Sequence, residues 1–229
     1  MTPAPVASML ALAVALCSGC GSTPMTRTSP TPSGPAASAY CLTSSDRPRA
    51  VQFDDINGQL VGSGDIGLVL TNGSSNAPCI WSGLLPSLLS TPRYLVLLYF
   101  YGSDKDVAAA GAFMLKQGVR RVLLLGESIG GARTLVAASH IQPPPGAAVS
   151  FSGESSPDEV GSLQIPTLIF ASEDDRYFPG KTARQVAAAI PAADKALRVY
   201  PGQAHSLDIL TGPNGAQALA VLLDFLARH

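Results

Sequence analysis

A serine flanked by glycines follows an apolar run in the segment Val122–Gly131. The run predicts a strand buried on both faces, and the residues from Gly130 onward predict a helix. Ser128 therefore lies at a strand-to-helix turn, where a serine hydroxyl is exposed and can attack a carbonyl carbon. Gly126 and Gly130 would let the strand and the helix approach closely. The alternative is a glycine-rich turn whose serine only caps the helix.

Further chemistry-bearing residues follow two later strands, and we expect reactive groups at the carboxyl ends of parallel strands. Asp174 and Asp175 come after one strand, and His205 comes after the next. A serine needs a base to take its proton, and the base needs a carboxylate to fix its tautomer. Glu154, after an earlier strand, is a further candidate for that acid. His205 could instead be a surface histidine in a Pro-Gly turn.

Apolar strands alternate with helices along most of the chain, which predicts an α/β domain with a mostly parallel sheet covered on both faces. Asn57-Gly58 predicts a tight hairpin turn between the first two strands. We expect strands at Ala50–Phe53, Gln59–Val61, Ile66–Leu70, Tyr94–Tyr99, Arg121–Leu125, Ala147–Phe151, Thr167–Ala171 and Ala196–Tyr200. We expect helices at Ile80–Leu89, Lys105–Lys116, Gly130–Ser139, Thr182–Ile190 and Gln217–Ala227.

Three motifs carry a resemblance to a known family: Gly-Glu-Ser-Ile-Gly-Gly at Gly126–Gly131, the acidic turn ending at Pro179, and Pro-Gly-Gln-Ala-His-Ser-Leu at Pro201–Leu207. From Ala50 to His229 the sequence resembles the α/β-hydrolase family, in particular its small, lidless, dienelactone-hydrolase-like or esterase-like members found as bacterial exported proteins. The order serine, acid, histidine is the one that this fold uses. The resemblance implies an α/β-hydrolase fold without a cap domain.

The resemblance also implies roles for individual residues. Ser128 would be the nucleophile, His205 the general base, and Asp174 or Asp175 the acid that orients the base. A proline four residues after the acid favours Asp175, whereas counting three residues from the strand end favours Asp174. We prefer Asp175.

Two backbone N–H groups would form the oxyanion hole in such a site. One belongs to Ile129, which follows the candidate nucleophile. The other belongs to Ser74, in the Asn-Gly-Ser turn where the family often has His-Gly-x. The expected activity is hydrolysis of a carboxylic ester or related acyl bond on a small molecule. A thioesterase, a lactone hydrolase, a peptidase or a non-catalytic binding lipoprotein are the alternatives.

The composition limits the possible partners. A formal net charge of -1 with 14% charged residues leaves no basic surface for nucleic acid. The three histidines, His140, His205 and His229, lack the paired spacing of a zinc motif, and we expect no metal or cofactor. We expect a monomer whose contact with a membrane is through a lipid anchor only.

The N-terminal segment predicts export. Val6–Leu16 has the length of a signal-peptide apolar region, and the Cys-Ser-Gly-Cys sequence after it resembles a bacterial lipobox, which implies lipidation of Cys20. Residues 1–20 would then be the signal, the Ser/Thr/Pro-rich residues 21–39 a disordered tether, and residues 40–229 the α/β domain.

Cys41 and Cys79 are the two cysteines outside the leader. In an oxidising compartment such a pair invites a disulfide. The alternative is a small buried Cys79 and a loosely ordered Cys41, since sequence alone does not fix the distance between them.

The lipoprotein hypothesis predicts an acylated mature N-terminus. Because the lipobox places the lipid on the first residue of the mature chain, mass spectrometry of the protein recovered from bacterial membranes should find Cys20 acylated. A mature N-terminus without acylation at Cys20 would contradict the hypothesis.

Overall fold

The computed structural model describes residues 36–73, 78–100 and 103–229. These residues fall within one compact unit, whose central sheet has eight strands in the order β1-β2-β4-β3-β5-β6-β7-β8. Strand β2 runs antiparallel to its neighbours and all other pairings are parallel. The strands are β1 Arg49–Phe53, β2 Ile56–Gly62, β3 Ile66–Thr71, β4 Tyr94–Tyr99, β5 Arg121–Glu127, β6 Ala147–Phe151, β7 Thr167–Ser172 and β8 Lys195–Tyr200.

Helices cover both faces of this sheet. They are α1 Leu85–Leu88, α2 Asp104–Lys116, α3 Ile129–Ala138, α4 Pro157–Val160, α5 Gly180–Ala189 and α6 Gly215–Arg228. Helices α1 and α6 contribute to the core on one face, and α2 to α5 contribute to the core on the other. Neighbouring residues of β3 alternate between the two cores, because successive side chains of a strand point to opposite faces. The predicted fold class, α/β with a mostly parallel sheet, is confirmed.

The first hairpin does not turn where the sequence predicts. Asn57 and Gly58 lie inside β2. Phe53 of β1 pairs with Ile56 of β2, so the two residues of the turn are Asp54 and Asp55. Asp54 adopts the left-handed conformation, with φ of 48°, as Asp tolerates in turns. Gly58 instead serves packing, since a Cβ there would lie 2.9 Å from the carbonyl oxygen of Leu98 on β4.

The helix expected at Ile80–Leu89 is also interrupted. The structure has a 3-10 turn at Pro78–Trp81 and a single α-helical turn at Leu85–Leu88, with Gly83 between them. Gly weakens a helix, and the Pro86 at the start of α1 has no N–H to extend it from the preceding turn. The other predicted helices lie within about two residues of their observed bounds. Between β6 and β7 the chain forms only the short helix α4.

A disulfide joins Cys41 to Cys79, with their Cα atoms 4.9 Å apart. It connects two 3-10 turns, Ala37–Tyr40 and Pro78–Trp81, whose Tyr40 and Trp81 are fully buried in the same core. The first turn includes the last three residues of the segment whose composition predicts a tether. The disulfide therefore links the turn at Ala37–Tyr40, which precedes β1, to the segment that follows strand β3.

Across the described ranges, no helix combines the length and the apolar character needed to cross a bilayer. The leader predicted at residues 1–20 lies outside these ranges.

The disulfide should stabilise the fold measurably. It closes a loop with a sequence separation of 38 residues. Removing such a cross-link is expected to lower the free energy of unfolding by about 3–4 kcal/mol in the chain-entropy model. Urea titration of the Cys41→Ser/Cys79→Ser double variant would measure this loss. As a control, adding reductant should lower the midpoint of the wild type and leave that of the double variant unchanged.

Candidate active site

Ser128 lies at the carboxyl end of β5, directly before helix α3. Its backbone has φ of 53° and ψ of −130°, a conformation that costs energy for a non-glycine residue. Gly126 and Gly130 make this turn possible. A Cβ at Gly126 would lie 2.3 Å from the carbonyl oxygen of Gly130, and a Cβ at Gly130 would lie 2.3 Å from that of Asn72. The predicted strand-to-helix turn is therefore present, and its glycines stand where backbones meet.

The structure brings together three of the residues singled out in the sequence. The Nε2 atom of His205 lies 2.9 Å from Ser128 Oγ. The Nδ1 atom of the same ring lies 2.8 Å from one carboxylate oxygen of Asp175 and 3.0 Å from the other. If Nδ1–H is donated to the carboxylate, Nε2 is left as the acceptor for the serine hydroxyl. This arrangement can remove a proton from Ser128.

Asp175 is held firmly as a carboxylate. Its side chain is fully buried, and its Oδ1 accepts the backbone N–H groups of Tyr177 at 2.9 Å and Phe178 at 3.3 Å. Burial raises the pKa of Asp175, but hydrogen bonds from the Tyr177 N–H, His205 and the Ser152 hydroxyl together bring that pKa below its ordinary value. The group therefore stays ionised at neutral pH and can stabilise an imidazolium on His205.

The other two candidate acids lie elsewhere. Asp174 is exposed, and its backbone N–H donates to the carbonyl oxygen of Gly202. Glu154 is also exposed, on the wall of the pocket above Ser128. Of the three carboxylates, only that of Asp175 contacts the histidine ring.

Sequence reasoning missed three polar residues that surround these groups. Glu127, Ser152 and Ser206 are all buried. Ser206 donates its backbone N–H to Ser152 Oγ at 3.0 Å and its hydroxyl to Glu127. Both serines have positive φ, near 49° and 60°. Nothing in a local pattern marks a serine after a histidine or after a strand as buried, so no sequence signal points to this network.

Helix geometry makes Ile129 a candidate oxyanion donor. It is the first residue of α3, and the first N–H groups of a helix have no acceptor within it. Ser74, the other predicted donor, lies outside the described residues. The adjacent N–H of Gly73 donates to Glu127.

A pocket of about 500 Å³ opens above Ser128. Ile129 and Tyr177 line it and remain 40% and 57% exposed, respectively. The Tyr177 ring meets the His205 ring edge-on, with centroids 5.1 Å apart. Within the part of the chain that the structure describes, no group of His, Cys, Asp and Glu has the arrangement of a metal site.

The model of the serine aminopeptidase S33 family (Hydrolase_4) matches residues 152–209, about a quarter of the chain. That segment includes Asp175 and His205. No curated protein sequence matches the chain.

Several solved structures have a fold similar to that of this chain over most of its length. A CIB-like hydrolase from Thermoplasma acidophilum is 17% identical with a TM-score of 0.66, over 80% of this chain and 98% of that protein. A monoacylglycerol lipase from Paleococcus ferrophilus is 13% identical with a TM-score of 0.67, over 77% and 100%. An esterase from Pyrococcus furiosus is 13% identical with a TM-score of 0.68, over 79% and 89%. The chain therefore has the α/β-hydrolase fold.

The two neighbouring aspartates should respond differently to substitution. Asp175→Asn replaces the carboxylate that contacts His205, and we expect turnover of a short p-nitrophenyl ester to fall by about 10⁴-fold. Asp174→Asn changes an exposed side chain and should leave turnover within about threefold, since surface substitutions are usually neutral. Steady-state kinetics of both variants would measure this difference. Loss of turnover in Asp174→Asn alone would contradict the assignment.

Proposed function

We propose that this protein is a serine hydrolase that cleaves a carboxylic ester or a related acyl bond through an acyl-enzyme. The observation that carries the proposal is the continuous contact from Asp175 through His205 to Ser128, in which one ring nitrogen meets the carboxylate and the other meets the hydroxyl. A serine that only capped the helix would need no such partner. Ser128 also makes no side-chain cap hydrogen bond with α3.

The reaction would begin with attack of Ser128 Oγ on the carbonyl carbon of the substrate. His205 takes the hydroxyl proton through Nε2 and then delivers it to the leaving alkoxide. Asp175 holds the ring and stabilises its positive charge. Water then attacks the acyl-enzyme, with His205 again acting as base, and the carboxylic acid departs.

The oxyanion of each tetrahedral intermediate needs two donors. The Ile129 N–H is the first, since it follows the nucleophile at the start of α3. The Gly73 N–H is already donated to Glu127, so the next N–H along the turn, that of Ser74, is the second in this proposal.

The pocket favours small or exposed acyl substrates. It has no cap over it in the described ranges, where β6 and β7 are joined only through the short helix α4. Its described lining includes Glu154 and Asp208 and holds no Lys or Arg, which favours a neutral substrate over an anionic one. Esters of short acids fit these conditions. The names of two matching structures, an esterase and a monoacylglycerol lipase, agree with ester cleavage.

Peptide cleavage is a second candidate, because the matching family model is that of serine aminopeptidases. The same three side chains would serve an amide bond. Hydrolysis of aminoacyl-p-nitroanilides, measured beside ester and thioester substrates, would separate the two activities.

We also propose that the protein is an exported lipoprotein anchored through Cys20. The disulfide between Cys41 and Cys79 supports this location, since disulfides persist in oxidising compartments. Residues 21–36, the part of the predicted tether that precedes the 3-10 turn at Ala37–Tyr40, would hold the domain away from the membrane surface.

Labelling with a fluorophosphonate probe tests the hydrolase proposal directly. Wild-type protein should be labelled, because the probe phosphonylates activated serine hydroxyls, and Ser128→Ala should not be labelled. The variant should lose at least about 10³-fold in ester turnover. Ser139→Ala, a half-buried serine at the far end of α3, is the matched control and should label normally. A folded wild type that does not label would favour a non-catalytic binding protein.

A further inference from the structure

Glu127 lies between Gly126 and Ser128 at the end of β5 and is only 1% exposed. Burying a carboxylate is costly unless hydrogen bonds satisfy it. Over residues 36–73, 78–100 and 103–229, no Lys, Arg or His side chain forms an ion pair with Glu127. Two hydrogen bonds from distant parts of the chain reach it instead, one to each oxygen.

The first hydrogen bond comes from the turn after β3. The backbone N–H of Gly73 donates to Oε1 of Glu127. A Cβ on Gly73 would lie 2.7 Å from that oxygen and 3.1 Å from the Cβ of Ser128. The turn after β3 therefore passes directly against the strand-to-helix turn at Ser128. The peptide group that follows Gly73 carries the N–H proposed above as the second oxyanion donor.

The second hydrogen bond comes from the loop that carries the general base. The Ser206 hydroxyl donates to Oε2 of Glu127, and Ser206 directly follows His205. The backbone of Ser206 has φ of 60°, which lies in the left-handed region and not in the extended or right-handed helical regions that most residues adopt. Its N–H is fixed as well, by Ser152 Oγ at 3.0 Å.

We propose that Glu127 is a positioning residue that holds two segments against Ser128. One carboxylate oxygen holds the turn after β3 at Gly73. The other holds the loop after β8 that carries His205 and Ser206, which we call the histidine loop. The proposal rests on the hydrolase function proposed for the same site. Glu127 acts through Gly73 and Ser206, and both of its oxygens are already engaged. Its effect should fall on kcat more than on KM, because oxyanion donors and the base stabilise the transition state and not the bound ester.

Substitution of Glu127 tests this role. Glu127→Ala removes both acceptors, and we expect kcat for a short p-nitrophenyl ester to fall by about 10- to 100-fold, as for small displacements of catalytic groups. KM should change by less than about threefold. Glu127→Gln should restore kcat to within about threefold of wild type, because the amide oxygen can accept the Gly73 N–H and the amide nitrogen can donate to the Ser206 hydroxyl.

Two further variants serve as comparisons. Glu173→Gln removes another carboxylate near the carboxyl edge of the sheet, one that is exposed and paired with Arg184, and should leave kcat unchanged. Ser206→Ala removes only the contact to the histidine loop and should lower kcat by about tenfold with little change in KM. If Glu127→Ala does not fold, as judged by circular dichroism, Ser206→Ala and Glu127→Gln still decide the question.

Amide hydrogen exchange at Gly73, followed by NMR, gives a readout that does not require activity. The Gly73 N–H should be protected in wild type and in Ser206→Ala, and should exchange at least about tenfold faster in Glu127→Ala. An inactive, unlabelled wild type with a protected Gly73 would refute the hydrolase function but not the contact. The positioning role is overturned if Glu127→Ala keeps kcat within threefold, if Glu127→Gln fails to recover it, or if Gly73 exchange is unchanged. It is likewise overturned if Ser206→Ala has wild-type kcat.

Discussion

The close approach of three backbone segments around Ser128 is the constraint on which the site depends. Strand β5, helix α3 and the turn after β3 meet where Gly126 and Gly130 leave room for one another and for the carbonyl oxygen of Asn72. Strands β3 and β5 are paired so that Thr71 lies beside Gly126. That register brings Gly73 against Ser128. A side chain at either glycine would push these segments apart, and the serine would lose both its strained conformation and its neighbouring turn.

Much of the fold can be predicted from sequence patterns that have a known physical cause. A strand buried on both faces is mostly apolar, so the apolar runs of β3, β4 and β5 stand out in the sequence, and the buried polar residues Thr71 and Glu127 lie only at the strand ends. Parallel strands end at a common edge, which is why candidate groups after β7 and β8 could be assigned to one site. The first hairpin was mispredicted because Asn-Gly is as suitable for a close approach to a neighbouring strand as for a turn. Only the register between strands separates the two uses.

The finer parts of the site depend on contacts that no local pattern encodes. Glu127 is bound by groups 54 and 79 residues away in the chain. Asp174 and Asp175 are alike in type and adjacent in sequence, and what separates them is the direction in which the loop after β7 turns its side chains. In the sequence, a buried serine such as Ser152 or Ser206 cannot be distinguished from a solvent-exposed serine. Their roles depend on contacts that form only when the segments at the carboxyl edge of the sheet come together.

The site also divides into two layers with different freedom to change. Beneath the serine, Glu127 and Ser206 are tied to several segments at once, so a substitution there disturbs all of them. At the mouth of the pocket, Ile129 and Tyr177 present exposed side chains that the buried network does not use. Under the proposed function, substitutions at the mouth would alter which acyl groups are accepted while Ser128, His205 and Asp175 stay in place. If the proposed function holds, substrate preference can change through substitutions at exposed positions that leave the buried contacts around Ser128 intact.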